Sequence, residues 1–254
     1  MTFHIITLFP SMFDSYLKES ILARAIKEKK VQILFYNPRD FAKPTKKQNT
    51  KEKPYFRVDD KPYGGGPGMV MQAEPVLKAI EAAMKKLKLK AKSYLSAGRG
   101  SRAMSRDKLK ARLIWLTPSG KQFDTKYARN IAQKYEHVII VCGRYEGIDE
   151  RVKKIYKMED VSVGPFILTG GELPAMIIAD SVSRQIKGVL GNFDSREESR
   201  MSSSEVYTRP ETLRWKSKKY TVPRILLSGN HAEIDKWRAD RRLKKDHKSS
   251  RNSK

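Results

Sequence analysis

Two short apolar runs, each followed by glycines, constrain the fold of this chain more than any other feature. The first, HVIIVC, begins at His137 and stops at Gly143, and the second, VSVGPFIL, stops at Thr169 before Gly170 and Gly171. Continuous β-branched runs are typical of strands buried on both faces, and glycine lets the backbone turn without a Cβ clash. Such turns also let backbone amides and carbonyls approach a flat or polar ligand. The residues alone leave a ligand site and a purely structural turn as alternatives of equal weight.

Strand-like and helix-like segments alternate through the first three quarters of the chain. FHIITL and VQILFY read as strands, and between them apolar residues recur at helical spacing, namely Phe13, Leu17, Ile21 and Ala25. Further helices are predicted over residues 73–88 and 124–135, and RLIWL is predicted to be another strand. Pro174 suits the first residue of a helix that continues over residues 175–187. This order predicts an α/β fold with a largely parallel sheet.

The second strong signal is charge. The 254 residues carry a formal net charge of +25, concentrated in residues 43–61, 85–112 and 209–254. An excess of this size is usually tolerated where the partner is a polyanion, and nucleic acid is the leading candidate. The alternative is that the lysines only serve solubility or reflect a lysine-rich proteome.

Other features exclude whole classes of protein. No apolar stretch of about eighteen residues exists, so we expect no membrane partner, and the N-terminus lacks the features of a secretion signal. The lone Cys142 fits a buried apolar role in a reducing cytoplasm. The cluster GGGPGM is not followed by Lys-Ser/Thr, which argues against a P-loop, and one Cys with four His gives no zinc spacing. No metal-ligating residues are predicted.

The alternation stops near residue 190, which divides the chain. We predict an α/β domain over residues 1–190 and an interdomain linker over residues 191–222. A small, shortened helical domain is expected over residues 223–245, followed by a basic disordered tail over residues 246–254.

Eight motifs, in order along nearly the whole chain, carry a family resemblance. They are PRDF, RVDDKPYGGGPGMVM, LTPSG, VCGRYEGIDERV, GPFILTGGELPAM, DSVSRQIKGVLGN, YTRPE and LLSGNHAEIDKWR. Together they make the chain resemble the TrmD family, the bacterial tRNA (guanine-N1)-methyltransferases. The resemblance implies a trefoil-knotted α/β domain of the SPOUT class, a cytoplasmic homodimer, and methylation of guanosine 37 in tRNA. It also implies S-adenosyl-L-methionine as methyl donor, and it leaves a requirement for Mg²⁺ open.

The resemblance assigns the methyl donor to three loops. The residues carried over are Leu116, Thr117, Pro118, Gly143, Tyr145, Glu146, Gly147, Ser162, Val163, Gly164, Pro165, Phe166, Ile167, Leu168, Thr169, Gly170, Gly171 and Pro174. Two alternatives stay open here. Trp115 fits a core residue that ends a strand better than a stacking partner of the donor, and Glu146 fits an ion pair with Arg144 or Arg151 as well as a donor contact.

The tRNA contacts are also implied by the resemblance. It places near the guanosine, or on phosphates and bases of the tRNA, the residues Asp59, Asp60, Tyr63, Gly64, Gly65, Gly66, Arg209 and His231. Trp237 lies in a matched motif too, although anchoring the small helical domain is an equal alternative.

Two residues are implied for catalysis. Arg184 lies off the apolar stripe of its predicted helix, and the resemblance makes it suited to polarising O6 of guanine. The structural alternative is a surface ion pair with Asp180, four residues earlier. The general base of the family is an aspartate, but the matching position is Ser199, so we assign the base to Glu198. The alternative is that the linker acids only solvate a loop. The sequence therefore predicts an active methyltransferase or a catalytically impaired tRNA-binding protein that keeps the donor fold.

Overall fold

The computed structural model describes residues 1–45, 55–87, 111–191 and 205–251. The chain forms two compact units, Met1–Leu190 and Gly191–Lys254. The first unit has the bounds of the predicted α/β domain.

The first unit is built on one five-stranded parallel sheet of order β2-β1-β8-β7-β9. Short two-residue strands form two further ribbons, β3 with β4 and β5 with β6. The strand bounds in this unit are β1 Thr2–Ile6, β2 Gln32–Tyr36, β3 Pro44–Thr45, β4 Tyr55–Phe56, β5 Asp59–Asp60, β6 Val70–Met71, β7 Ala111–Gln122, β8 His137–Val141 and β9 Glu159–Ser162. The predicted parallel α/β fold is confirmed.

Helices cover both faces of the sheet. Their bounds are α1 Asp14–Leu17, α2 Ser20–Lys27, α3 Ala73–Lys86, α4 Thr125–Lys134, α5 Arg151–Tyr156 and α6 Glu172–Ser183, with 3-10 turns at Pro10–Phe13 and Pro38–Phe41. In β8, Val138 and Ile140 pack with α4 and α6 in one core cluster, while Ile139 and Val141 pack with α3 and α5 in the other. The HVIIVC run is therefore apolar throughout because both of its faces are buried.

The spacing of apolar residues predicts one helix between β1 and β2, but the structure has a 3-10 turn and two short helices there. A 3-10 turn and α1 end at Leu17, and α2 starts again at Ser20, whose φ is +53°. This break shifts the buried face by one residue, so Leu22 is buried and Ile21 is exposed.

The second apolar run is a strand only as far as Ser162. There the Ser162 hydroxyl donates to the carbonyl of Gly164 at 2.9 Å and accepts from its amide at 3.2 Å, which turns the chain out of the sheet. The next residue, Pro165, has no amide proton to continue a ladder. The remainder of the predicted strand is a loop.

Helix α6 starts at Glu172, so Pro174 is its third residue, and it ends at Ser183 rather than continuing to residue 187. Beyond Ser183 the amides of Gln185 and Ile186 bond three residues back, and Gly188 takes a φ of +83°. A three-residue hydrogen-bond spacing tightens the backbone and ends the α-helix.

The second unit contains a hairpin, a 3-10 turn and a long helix. The hairpin strands are β10 Thr212–Trp215 and β11 Lys218–Thr221, the 3-10 turn is Arg224–Leu227, and α7 spans His231–Arg251. The hairpin lies within residues 191–222, which the sequence assigns to a linker. Helix α7 runs into the predicted tail because no glycine or proline interrupts residues 246–251. Within the described ranges, no helix is both long and apolar enough to cross a membrane.

Candidate active site

A pocket of about 440 Å³ lies where β8 and β9 end and β7 bends out of the sheet. Its walls come from three loops, residues 115–118, 143–150 and 161–174. Every donor-binding residue predicted from the sequence lines it, except Pro165. The volume falls within the roughly 300–1,000 Å³ that is usual for sites of small ligands and cofactors.

The two glycine-closed turns meet in this pocket. The amide of Gly171 donates to the carbonyl of Gly143 at 3.0 Å. A Cβ on Gly171 would lie 2.6 Å from the Cα of Cys142, so only glycine allows the two segments to approach this closely. In the first of these turns, just after Gly143, Tyr145 and Gly147 take φ values of +60° and +129°, so the backbone turns sharply where it lines the pocket.

A buried ion pair between Arg144 and Glu172 stabilises the walls of the pocket. Nε of Arg144 lies 2.9 Å from Oε2 of Glu172, a residue that is 1% exposed. The other carboxylate oxygen, Oε1, accepts from the hydroxyl of Thr7 at 2.7 Å. Arg144 also donates to the carbonyl of Thr169 at 3.2 Å, and its guanidinium lies 4.7 Å from the ring centroid of Phe9. These contacts connect the ends of β1 and β8, the start of α6 and the pocket loop. No sequence pattern predicts this role of Arg144, although its place inside the GRYEG turn is a local signal.

The two arginines that could pair with Glu146 have other partners. Arg144 pairs with Glu172 and Arg151 pairs with Asp149, so neither arginine takes Glu146 as its ion-pair partner among the described residues. Glu146 is among the residues that line the pocket, and its carboxylate lies close to Gly68. Trp115 is 7% exposed and packs in a core cluster, as expected of a strand residue, and it lines the pocket as well.

The glycine-rich loop lies directly beside this turn. The amide of Glu146 donates to the carbonyl of Met69 at 3.0 Å, and the amide of Met71 donates to the carbonyl of Gly147 at 2.9 Å. The loop therefore lies next to the part of the pocket wall that this turn forms. Its predicted substrate residues lie on β5 and in the turn after it, outside the pocket wall. Gly64, Gly65 and Gly66 all have positive φ, and the Tyr63 side chain is fully exposed.

Arg184 stands at the C-cap of α6 and does not line the pocket. Its half-buried side chain makes no ion pair with Asp180 among the described residues, and its Nε atom is buried with no hydrogen-bond partner there. The pKa of Asp180 is raised, because burial outweighs the opposing charge of Arg184. The Arg184 guanidinium thus retains hydrogen-bonding capacity.

The other predicted site residues belong to the second unit or fall outside the described residues. Glu198 and Ser199 fall outside the described residues. Arg209 and His231 are exposed in the second unit, where His231 begins α7.

The described residues show neither a nucleophilic thiol nor a cluster of metal ligands. Burial, followed by the charge of Glu172, raises the pKa of the Cys142 thiol well above its ordinary value, so Cys142 is a protonated core residue rather than a nucleophile. Over the part of the chain that the structure describes, no three His, Cys, Asp or Glu side chains are grouped to hold a metal ion.

Comparisons with known proteins agree with this geometry. The profile of the family tRNA (Guanine-1)-methyltransferase TrmD matches residues 1–252. A tRNA (guanine-N(1)-)-methyltransferase from Geobacter sulfurreducens is 43% identical over 247 residues, covering 96% of this chain and 86% of that protein. The enzyme of the same name from Campylobacter jejuni subsp. doylei is 40% identical over 238 residues, covering 92% and 88%.

A solved structure extends the match to the fold. The crystal structure of tRNA (m1G37) methyltransferase from Aquifex aeolicus superimposes with a TM-score of 0.69 at 33% identity, over 98% of this chain and 92% of that one. Sequence and fold agree over nearly the full length, and the chain belongs to the TrmD family of tRNA (guanine-1)-methyltransferases.

Proposed function

We propose that this protein transfers a methyl group from S-adenosyl-L-methionine to N1 of guanosine 37 in tRNA. The observation that carries the proposal is the pocket in which the turns at Gly143 and Gly171 meet, in a chain of this family. Its relatives bear the names of active methyltransferases, which favours the enzyme over an impaired tRNA-binding protein.

The lining of the pocket suits this donor. The apolar residues Leu116 and Ile148 line the pocket and offer a surface for a flat adenine, and the glycine turns bring backbone groups to its polar edge. Glu146 and Glu150 are also among the lining residues, and their negative charge suits the cationic sulfonium and ammonium groups of the donor. When bound, the donor supplies an activated methyl group. All eighteen donor residues predicted from the sequence, Pro165 included, remain part of the proposal.

The protein must remove the N1 proton of guanine and stabilise the charge that develops on O6. Arg184 donates to O6, a role supported by its buried Nε atom, which has no partner among the described residues. Glu198 accepts the N1 proton, because Ser199 cannot act as a base at neutral pH. The loop from Asp59 to Gly66 lies on the guanosine side of the site, a placement supported by the hydrogen bonds that Met69 and Met71, just after it, make to the 146–147 turn.

The trefoil knot belongs to the same proposal. Leu116 and Lys121 of β7 both stand opposite Val161 of β9, so residues 117–120 loop out of the sheet between them. Gly120 packs directly on β9, where a Cβ would lie 2.5 Å from the Val161 amide nitrogen. A loop that crosses a neighbouring strand this closely supports a chain threaded through its own backbone.

A homodimer completes the proposed enzyme. Four large apolar side chains of the first unit are exposed around the start of α6, namely Met12, Tyr16, Leu173 and Ile177. The Tyr16 hydroxyl lies beside the carboxyl of Asp180 in α6, and burial, followed by the charge of that carboxyl, raises the pKa of Tyr16. Contiguous exposed apolar surface of this kind is typical of protein interfaces. We assign the assembly to the cytoplasm with tRNA as its partner, and a Mg²⁺ requirement stays open.

Incubation with labelled S-adenosyl-L-methionine and a tRNA bearing guanosines at positions 36 and 37 tests the function. Label is expected in the tRNA with the wild-type protein and is expected to be largely lost with Glu198→Gln, while Glu197→Gln serves as the matched control. Tight tRNA binding without label would contradict the enzyme assignment. Full activity of Glu198→Gln would leave the function intact and contradict the choice of base.

A further inference from the structure

Residues 212–221 of the second unit form an uncovered β-hairpin. β10 and β11 pair antiparallel, with Leu213 opposite Tyr220 and Trp215 opposite Lys218. Opposite residues in an antiparallel pair share a face, and so do residues two apart on one strand. Leu213, Trp215 and Tyr220 therefore form one row on one face of the hairpin.

This row is exposed. Leu213 is 54%, Trp215 65% and Tyr220 53% accessible to solvent. Aromatic side chains contribute most when they are covered, and an isolated two-stranded hairpin is only marginally stable in water. The exposed row is therefore best explained by a partner that covers it.

The charge of the hairpin indicates the kind of partner. Its ten residues include Arg214, Lys216, Lys218 and Lys219 and no acidic residue. On the face opposite the aromatic row, Arg214 stands directly across from Lys219. Like charges directly opposite each other destabilise a strand pair, so this arrangement gains from a polyanionic partner.

We propose that the hairpin is an RNA-binding element whose aromatic row stacks on unpaired bases of the tRNA while its cations contact neighbouring phosphates. Stacking on aromatic side chains and charge on the backbone are the two means by which proteins hold unpaired nucleotides. The same hairpin of a second copy is a poorer occupant, because it too carries four cations and no acidic residue and would repel this one. The substrate assignment rests on the proposed function.

The first test is to measure the affinity of the full-length protein for tRNA and, separately, for S-adenosyl-L-methionine. Trp215→Ala is expected to weaken tRNA binding by roughly 5- to 150-fold, the decrease that corresponds to one stacked base. Trp215→Phe keeps a ring and is expected to restore most of the affinity. Donor affinity is expected to be unchanged in both variants.

The cations are tested through the salt dependence of tRNA binding. Arg214→Gln together with Lys219→Gln is expected to lower the slope of log affinity against log salt by about 0.7–0.9 for each phosphate that the hairpin no longer neutralises. Lys126→Gln together with Lys134→Gln, which changes two exposed lysines of α4, is the matched control and is expected to leave the slope nearly unchanged.

Wild-type tRNA affinity in Trp215→Ala would overturn the proposal. Weaker binding that accompanies dissociation of a dimer would overturn it in favour of a second copy as occupant. If Trp215→Phe binds tRNA as weakly as Trp215→Ala and both variants have a lower thermal midpoint, the proposal would be overturned in favour of a structural role. These failures leave the methyltransferase assignment standing if label still enters the tRNA. Conversely, binding through Trp215 without methylation would support the hairpin and contradict the proposed function.

Discussion

The amide of Gly171 donates to the carbonyl of Gly143 at 3.0 Å, which fastens the start of α6 to the end of β8. This one hydrogen bond joins the two glycine turns that dominate the sequence. The pocket exists because the backbones can approach this closely.

Gly171→Ala is expected to force the two turns apart, because the new methyl group would lie 2.6 Å from the Cα of Cys142. Overpacking of this kind costs about 1–3 kcal/mol of unfolding free energy, and the affinity for S-adenosyl-L-methionine is expected to fall as well. Gly191→Ala, with no atom within 4 Å of the new methyl group, is the control. Urea unfolding and donor titration check both effects, and wild-type behaviour of Gly171→Ala would contradict the close approach.

Arg144→Met is expected to lower the free energy of unfolding by about 3–5 kcal/mol, because it leaves the buried carboxylate of Glu172 without its counter-charge. Adding Glu172→Gln to this variant removes the unpaired charge, so the double variant is expected to recover part of the loss. Arg151→Met breaks an exposed pair with Asp149 and is expected to change stability little. Additive losses of Arg144→Met and Glu172→Gln in urea unfolding would contradict the coupling.

Two histidines, His4 of β1 and His137 of β8, lie side by side, and His4 predicts acid sensitivity. Nδ1 of His4 lies 3.0 Å from the Tyr36 hydroxyl, and Nε2 lies 3.2 Å from Nδ1 of His137. Burial, with smaller contributions from His137 and Lys86, lowers the pKa of His4 to about 4. Between the ordinary value near 6.5 and about 4 the unfolded chain holds a proton that the folded chain does not. Stability is therefore full above pH about 6.5 and is lost as the pH falls toward 4.

The size of this effect is roughly 1–3 kcal/mol. Thermal unfolding measured from pH 7 to pH 4.5 is expected to show the decline in the wild-type protein and a flatter profile in His4→Gln. His231→Gln, at an exposed position, is the control and is expected to keep the wild-type profile. An equal decline in His4→Gln would mean that other groups cause it.

Arg184→Ala is expected to lower kcat by roughly 10²–10³-fold while donor affinity stays close to wild type, because the guanidinium acts on charge that develops during the reaction. Lys187→Ala, at an exposed position three residues later, is the control. Single-turnover methylation and donor titration separate the two quantities. A loss of donor affinity that matches the loss of activity would make Arg184 a structural residue.

The sequence predicts those parts of this fold that depend on local periodicity. Helix α3 ends two residues from its predicted end, and HVIIVC is a strand buried on both faces. The breaks at Ser20 and Ser162 escape such patterns, because they depend on one backbone angle and one side-chain hydrogen bond. The spacing of apolar residues predicts neither the backbone angle at Ser20 nor the hydrogen bond of Ser162.

The candidate site likewise has features that the sequence predicts and features that it does not. The glycine turns are visible in the sequence, since glycine marks close backbone approach wherever it ends a strand. The Arg144–Glu172 pair joins residues far apart in the chain, and no local pattern relates them. The loop of residues 117–120 between two pairings with Val161 is also invisible to periodicity. The trefoil knot proposed for this chain is beyond such patterns too, because threaded chains are rare and general topology rules argue against them.

Mapping the methyl group tests the central claim most directly. A tRNA with guanosine at position 37 is incubated with the protein and S-adenosyl-L-methionine and then copied by reverse transcriptase. Methylation at N1 blocks Watson–Crick pairing, so we predict that copying stops at the nucleotide on the 3′ side of position 37. No stop is expected on a tRNA with adenosine at position 37. Full-length copies of both tRNAs, or a stop at another guanosine, would contradict the proposed function.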